Sequence, residues 1–472
     1  MGFNLHSLIE QNQGRAKDLH EQGMNPVFSQ VLEMIGFSHE YIYGQGATLK
    51  SADGTEYLDA LSGYGVFGIG RNHPTIVQAL HEALDIHSPN LVQMDTPLLS
   101  GLLAEKLLHM APGNRLGHAF FTNSGTEAIE GALKFVRCAT GRPRILYNQG
   151  AFHGLTTGAL ALNGDGSFRE GFGDLFPSCE KVNLENLGEV ELELKKGDVG
   201  AVFLEPVRGK GVYFPKDEFV YPALQKLCRE HGVLFVVDEI QTGLGRTGKL
   251  WACEHWNLEP DILVTAKALS GGMIPIGAIL YSHAVYKKVF SRLDRCVVHS
   301  STFGQNALAM VAGLAALHVI EEEDLVHQSA QKGARLLSEL KKIESEFIKE
   351  IRGKGLMIGI EFGSPKSLRL KPAWALLHGA ENGLFAQAVV MELYRKHKIL
   401  TQVAGHHQEV VKLLPPFVIS NEQIDHIIQA FTDILEECRS FPGPIWSVGK
   451  QLAGVAARQQ FRTRFQTKPD HT

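Results

Sequence analysis

The sequence predicts an α/β protein: a mostly parallel β-sheet covered by helices, with a second, smaller α+β domain built from the N- and C-terminal parts of the chain. Three observations carry that expectation. Between residues 75 and 330 short apolar runs alternate with helix-length stretches, the pattern of parallel strands joined by crossover helices. Strand-like runs recur on both sides of that region. The chain has 472 residues, 44% of them apolar, enough for a sizeable core and for about two to four folding units.

Residues 1 to about 40 read as helical turns, and GATLKSADGTEYLDALSG follows with two strand-like runs joined at Asp53-Gly54, a hairpin signal. RILYN, AVFLEP, VLFVVDE, DILVTAKA and GAILYS then supply the apolar runs of the sheet. A long helix-forming stretch is expected from 320 to 350, after which IRGKGLMIGIEF and VVKLLPPFV read as strands. The expected divisions are an N-terminal segment that forms part of the small domain (1–74), a large domain (75–330), the C-terminal part of the small domain (331–440) and a tail (441–472).

The tail places Lys450, Arg458, Arg462, Arg464 and Lys468 among Trp446, Leu452, Val455, Phe461 and Phe465. That is a basic amphipathic helix, which either packs on the protein's own surface or makes weak contact with an anionic membrane surface.

Charge and cysteine usage exclude several classes. With 46 Lys and Arg against 51 Asp and Glu, the net charge of −5 offers no field for nucleic acid. Cys138, Cys179, Cys228, Cys253, Cys296 and Cys438 form no CxxC pair, which disfavours a disulfide scaffold or a zinc cluster and fits a reducing compartment. The N-terminus lacks an apolar h-region, and no segment approaches the roughly 18 uninterrupted apolar residues of a membrane span. Gly2 is followed by His6 where a myristoylation signal needs a hydroxyl, Ser7 coming one position late. A cytoplasmic protein is expected.

One motif is a decoy. GLGRTGK at residues 243–249 satisfies G-x-G-x-x-G and nearly a P-loop, but Leu250 stands where the magnesium-binding hydroxyl belongs. Residues 238–242 also separate it from the strand VLFVV, whereas a phosphate loop must follow its strand closely so that a helix N-terminus meets the phosphate.

A different constellation carries chemistry. Asp238 ends one apolar strand, and Lys267 follows the next, ahead of Ser270-Gly271-Gly272; strand ends of an open parallel sheet are where ligands bind. Thr122-Asn123-Ser124-Gly125-Thr126-Glu127 follows the strand-like HAFF and opens a helix, a natural anion site. A lysine, a carboxylate and a phosphate cradle are what an aldehyde cofactor needs in order to labilise bonds next to an amine. Singly, each has a plainer reading: a helix cap at Ser124 or Asp238, and a solvated charge at Lys267.

In this combination the chain resembles a class III aminotransferase, the pyridoxal-phosphate-dependent group that includes ornithine, acetylornithine, 4-aminobutyrate and putrescine aminotransferases. The resemblance runs from about residue 25 to 435 through FFTNSGTEAIEGALK, FHG, FLEPV, DEIQTGLGRTGK, TAKALSGGMIPIGA, STFGQN and RGKGLMIGIEF. It implies the fold type I architecture of pyridoxal-phosphate enzymes with a sheet of the seven-stranded type, pyridoxal 5′-phosphate as cofactor, and a homodimer with both sites at the subunit interface.

It further implies that Lys267 carries the cofactor as a Schiff base and, once freed, shuttles the proton. Asp238 would hold the pyridinium, Gln241 bond the phenolic oxygen and Phe152 stack on the ring, with His153 and Glu205 of FHG and FLEPV beside the cofactor. Ser124, Gly125 and Thr126 would hold the phosphate, Thr302 would complete that site from the partner subunit, and Tyr64 would line the substrate pocket.

The departures from the family pattern concern substrate carboxylates. Many members read FHGR, with an arginine that grips a carboxylate; here Leu155 takes its place. Many read EPVQGE, the second glutamate pairing with an arginine before Pro-Pro. Here EPVRGK brings Arg208 and Lys210, and Lys412 holds the arginine's position. If Lys210 and Lys412 approach each other they repel, and a fixed cationic patch replaces the switch, with one of the two lysines binding a carboxylate as a point charge. The plainer alternative has one lysine snorkelling to solvent.

A diamine, or an amine on a larger apolar molecule, is therefore expected as donor over a short ω-amino acid, with a 2-oxo acid or aldehyde as acceptor in a ping-pong reaction. The same fold and lysine also support racemases, aminomutases and decarboxylases. A non-catalytic binding protein of this fold would be expected to have lost Lys267, Asp238 or Gln241. No metal and no nucleic acid are expected as partners.

Overall fold

The computed structural model describes residues 2–92, 95–405 and 408–454. Seven strands form the central sheet, in spatial order Leu116–Thr122, Gly277–Ser282, Ile262–Thr265, Leu234–Asp238, Val199–Leu204, Arg144–Asn148 and Cys179–Val182. The last five run parallel. Gly277–Ser282, the run GAILYS, is antiparallel to both its neighbours. The reason is local: the chain leaves Thr265 through a single turn of 3-10 helix, Lys267–Ser270, and returns without a crossover helix, and only a crossover lets a strand re-enter parallel.

Side chains alternate across this sheet and bury both of its faces. Phe203, Val236, Val264 and Ile279 pack with Ala128, Ile129, Leu133 and Val136 of the helix Gly125–Thr140. Their sequence neighbours Val202, Val237, Leu263 and Leu280 face the opposite way, in a cluster with Leu269, Met310 and Leu317. Each fully buried Val, Leu or Phe contributes about 1.5–3 kcal/mol, so the strand ends that carry the polar residues stand on a rigid platform.

The expected hairpin is present. Thr48–Ser51 and Glu56–Asp59 pair antiparallel, and the turn between them uses Gly54 at φ 88° and an Asp53 carboxylate that accepts from the Thr55 N–H at 3.0 Å. Ile399–Leu400 adds to Glu56–Asp59 in parallel, so one small sheet is made of chain from both ends. A second small sheet, entirely antiparallel, orders Ile348–Lys354, Met357–Phe362, Val410–Leu413 and Gln402–Ala404.

The helix-forming stretch expected from 320 to 350 holds the end of one helix and the whole of a second. Ala307–Glu322 stops before Asp324, whose φ of 48° no helix accommodates. Leu325–Lys342 follows, and the strand at Ile348 ends the helical run.

Three short helices, Leu5–Asn12, Ala16–Gly23 and Pro26–Met34, open the chain without burying a residue. At the other end residues 444–454 are helical. Trp446 is 4% exposed, lies 5.8 Å from the Phe347 ring and 5.7 Å from that of Phe385, and donates from Nε1 to the Cys438 carbonyl at 3.0 Å. The described part of the tail thus turns its tryptophan into the protein's own core. Val455, Arg458, Phe461, Arg462, Arg464, Phe465 and Lys468 lie outside the described residues. Among the described residues no helix is long and apolar enough to cross a membrane.

Candidate active site

The sequence-predicted residues gather at the carboxyl ends of the parallel strands. Asp238 closes Leu234–Asp238, Glu205 directly follows Val199–Leu204, Lys267 follows Ile262–Thr265, and Phe152-His153 follows Arg144–Asn148. Asp238 is 4% exposed. One of its oxygens accepts from the Ile240 N–H at 2.9 Å and the other meets His153 Nδ1 at 2.7 Å. Burial alone would lower the pKa of the His153 imidazole, but the hydrogen bond and charge of Asp238 outweigh it and raise it.

Glu205 does a different task. It accepts from the Phe152 and Gly209 N–H groups, both at 2.9 Å, and so ties two loops to one strand end; burial pushes its carboxyl up. A Cβ on Gly209 would stand 2.2 Å from Gln241 Oε1, so a larger residue there would displace the Gln241 amide. Gln241 Nε2 donates to the Tyr64 carbonyl at 3.0 Å, which fixes the turn that carries the exposed Tyr64 side chain.

Lys267 sits at φ 46°, a left-handed conformation that costs about 1–2 kcal/mol for a residue with a side chain; such strain concentrates where function requires it. Burial lowers its amine to about 8, against the opposing pull of Asp238 and Glu205. An amine held that low is in part unprotonated near neutrality and can attack an aldehyde carbon.

At the N-terminus of Gly125–Thr140, Ser124 Oγ accepts from the Glu127 N–H at 3.2 Å, the helix-cap role that the sequence also allowed. Thr126 Oγ1 meets Thr156 Oγ1 at 2.7 Å. The N–H groups of Gly125 and Thr126 open the helix, where no intrahelical acceptor exists and the dipole favours an anion.

The family is settled by its model: the description "Aminotransferase class-III" matches residues 37–435. The chain belongs to the class-III aminotransferases, which are pyridoxal-phosphate-dependent. It is 34% identical over 93% of its length to the aminotransferase PigE of Serratia sp. (strain ATCC 39006), and spans 55% of that protein. It is 35% identical to the putrescine aminotransferase of Pectobacterium atrosepticum, over 83% of this chain and 81% of that one.

Among solved structures, ornithine aminotransferase from Toxoplasma gondii superposes with a TM-score of 0.80 at 26% identity, covering 92% of this chain and 99% of that one. An amine transaminase from an uncultivated Pseudomonas species, in its PLP-bound form, gives 0.75 at 26% identity, covering 85% and 95%. The fold type I architecture expected from the sequence is therefore the fold of this class-III aminotransferase.

The residues present fit the family's cofactor. A lysine whose amine is pushed down, a buried carboxylate at the next strand end, and a helix N-terminus on the same side of the sheet supply the three chemistries that pyridoxal 5′-phosphate requires. Thr302 is exposed beside Ser301, whose hydroxyl contacts Asn123 and Glu127 at 2.9 Å each, so its segment lies along the opening of that helix within the same chain.

Lys210 and Lys412 have separate surroundings. Lys412 is 5% exposed, donates to the Gly209 carbonyl at 3.0 Å and lies 6.0 Å from the centre of the Tyr64 ring. Burial, then the charge of Lys267, brings its amine down to about 7. Lys210 pairs with Asp165 and lies 4.7 Å from the centre of the Phe168 ring. The expected patch of two repelling cations is therefore corrected: Lys210 is neutralised by a carboxylate. Arg208 pairs with Glu185 at 3.1 Å. Leu155 is 54% exposed.

Two features were not read from the sequence. Arg246, inside the decoy GLGRTGK, is 1% exposed and donates to the carbonyls of Leu356, at 2.9 Å, and Pro415, at 2.5 Å. Burial lowers it to about 9, and its charge bears on both Lys267 and Lys412. Asp165 and Phe168 lie in a loop whose composition gave no signal.

Proposed function

We propose that the chain transfers an amino group from a primary amine to a 2-oxo acid or aldehyde in two alternating half-reactions, and that its donor is a diamine or a larger amine in preference to a short ω-amino acid. The observation that carries the reading is the amine of Lys267, lowered to about 8 beside the carboxylates of Asp238 and Glu205. Held at Lys267, pyridoxal 5′-phosphate would supply an electron sink that loosens the C–H bond next to the transferred nitrogen.

Every other part is the protein's own. The freed Lys267 amine takes that proton and returns it, a task suited to a base whose pKa lies near the working pH. Asp238, oriented by His153 and by the Ile240 N–H, would face the ring nitrogen of the bound cofactor. Ser124, Gly125 and Thr126 would hold the phosphate, Phe152 would cover the ring and Gln241 would bond its oxygen. Tyr64, Leu155 and Lys412 line the substrate side.

Leu155 supports the donor preference, because it offers no charge to a carboxylate, and so does the similarity to a putrescine aminotransferase. The working unit in this proposal is a homodimer with Thr302 completing the phosphate site of the neighbouring copy. The N-terminal helices expose Leu5, Leu8, Ile9, Val27 and Phe28, an apolar surface that a second copy would cover.

The test is spectroscopic. The purified protein should carry a visible absorbance band that specific amines bleach and a 2-oxo acid restores. Lys267→Ala lacks the band and loses at least about a hundredfold in turnover. A wild-type protein that remains colourless after incubation with pyridoxal 5′-phosphate would overturn the reading.

A further inference from the structure

The loop between Asn163 and Phe168 builds a small box beside Phe152. Asp165 caps the 3-10 turn Gly166–Phe168, with Oδ1 accepting from Ser167 N–H at 3.0 Å and from Ser167 Oγ at 2.7 Å. That fixes the carboxylate and presents Oδ2 to Lys210 Nζ. The Lys210 ammonium also lies 4.7 Å from the centre of the Phe168 ring, within reach of its negative face. Phe168 stands edge-on to Phe152 with centroids 5.8 Å apart, and Phe152 is anchored through its N–H to Glu205. The box is thereby continuous with the residues around Lys267.

Its contents are chemically specific. A carboxylate and an aromatic face enclose a primary ammonium on a chain of methylenes, and that ammonium belongs to the protein. The side chains of Lys210 and Asp165 are 20% and 18% exposed, so the pair is shielded yet open at the rim. The carboxyl of Asp165 is lowered to about 2, burial being outweighed by the Lys210 and Ser167 hydrogen bonds.

We propose that Asp165, with Phe168 and Phe152, receives the distal ammonium of a diamine substrate, and that Lys210 occupies that place in the free enzyme. The proposal rests on the aminotransferase reading and names the substrate class for it. Exchange of one ammonium for another leaves the charge at Asp165 balanced, while the flexible stem of Lys210 carries its own charge out to solvent. A substrate with a carboxylate at the same distance meets Asp165 as a like charge. The box therefore selects diamines and rejects ω-amino acids by sign, a role that Leu155 cannot fill because it merely withholds attraction.

The two partners of one ion pair should then act in opposite directions. Expressed as the ratio of KM for a linear diamine to KM for a monoamine of equal length, Asp165→Asn raises the ratio by about tenfold or more, the loss of a charge-assisted hydrogen bond. Lys210→Met lowers it, because the competing ammonium is gone. Calorimetric titration of the holoenzyme with a bis(trimethylammonium) alkane, which has no transferable amino group, should show weaker binding in the first variant and tighter binding in the second. A pair that only braces the loop would weaken binding in both, and that result, or an unchanged ratio, overturns the proposal. If no amine is turned over by any form, the aminotransferase reading fails, while the calorimetry still reports on Asp165.

Discussion

Lys412 is buried within electrostatic reach of Lys267, and burial and that charge both favour its neutral form. Its amine, brought down to about 7 by burial and by Lys267, lies below the value it has in an unfolded chain. Between about pH 7 and the ordinary lysine range near 10.4 the unfolded chain holds a proton that the folded one has released, so this residue makes stability rise with pH across that window. Lys412→Met should lose that share of the rise, as measured by denaturation midpoints at about pH 7 and about pH 9. Identical rises in both proteins would mean that the lysine stays charged in the fold.

Leu155 yields a second expectation. Being 54% exposed, it can become arginine without burying a charge. Leu155→Arg should shift the ratio of turnover for 4-aminobutyrate over a diamine upward by about tenfold, in line with one charge-assisted contact to a carboxylate. The positions of Lys267 and Asp238 were legible because each follows an uninterrupted apolar strand. The Lys210–Asp165 pair was not, because its members stand 45 residues apart and neither belongs to a periodic pattern.

At the scale of elements, the fold class was legible from alternation, and direction was not. GAILYS reads as apolar as its parallel neighbours, since burial on both faces sets composition and strand polarity leaves no trace in it. What reverses Gly277–Ser282 is the missing crossover, a matter of connection length. The division of the 320–350 stretch into two helices likewise hangs on one backbone angle at Asp324.

Ser124 shows how an element end can combine two duties. As helix cap its hydroxyl satisfies the Glu127 N–H, and Ser124→Ala should cost about 1 kcal/mol in chemical denaturation of the cofactor-free protein. A loss near zero would mean that the hydroxyl serves the anion site alone.

For the whole molecule, the helix at residues 444–454 packs Trp446 against Phe347 and Phe385. Trp446→Ala leaves a hole against Phe347 and Phe385, with an expected loss of about 3–5 kcal/mol read from thermal or urea unfolding. A change within about 0.5 kcal/mol, as at an ordinary surface site, would mean that the helix is only loosely applied. Sequence pattern foresaw this segment as amphipathic but not which surface it would meet, because one apolar stripe suits a membrane and a protein core equally.

The pairing of Ile399–Leu400 with Glu56–Asp59 has a consequence for biosynthesis. At ~5–20 residues per second the hairpin near the N-terminus leaves the ribosome roughly 20–70 seconds before the strand that completes its sheet. During that interval the edge of Glu56–Asp59 has no partner strand, and an unpaired edge is a template for other chains. The nascent protein therefore depends on whatever shields that edge, a chaperone or its own early helices, until synthesis passes residue 400.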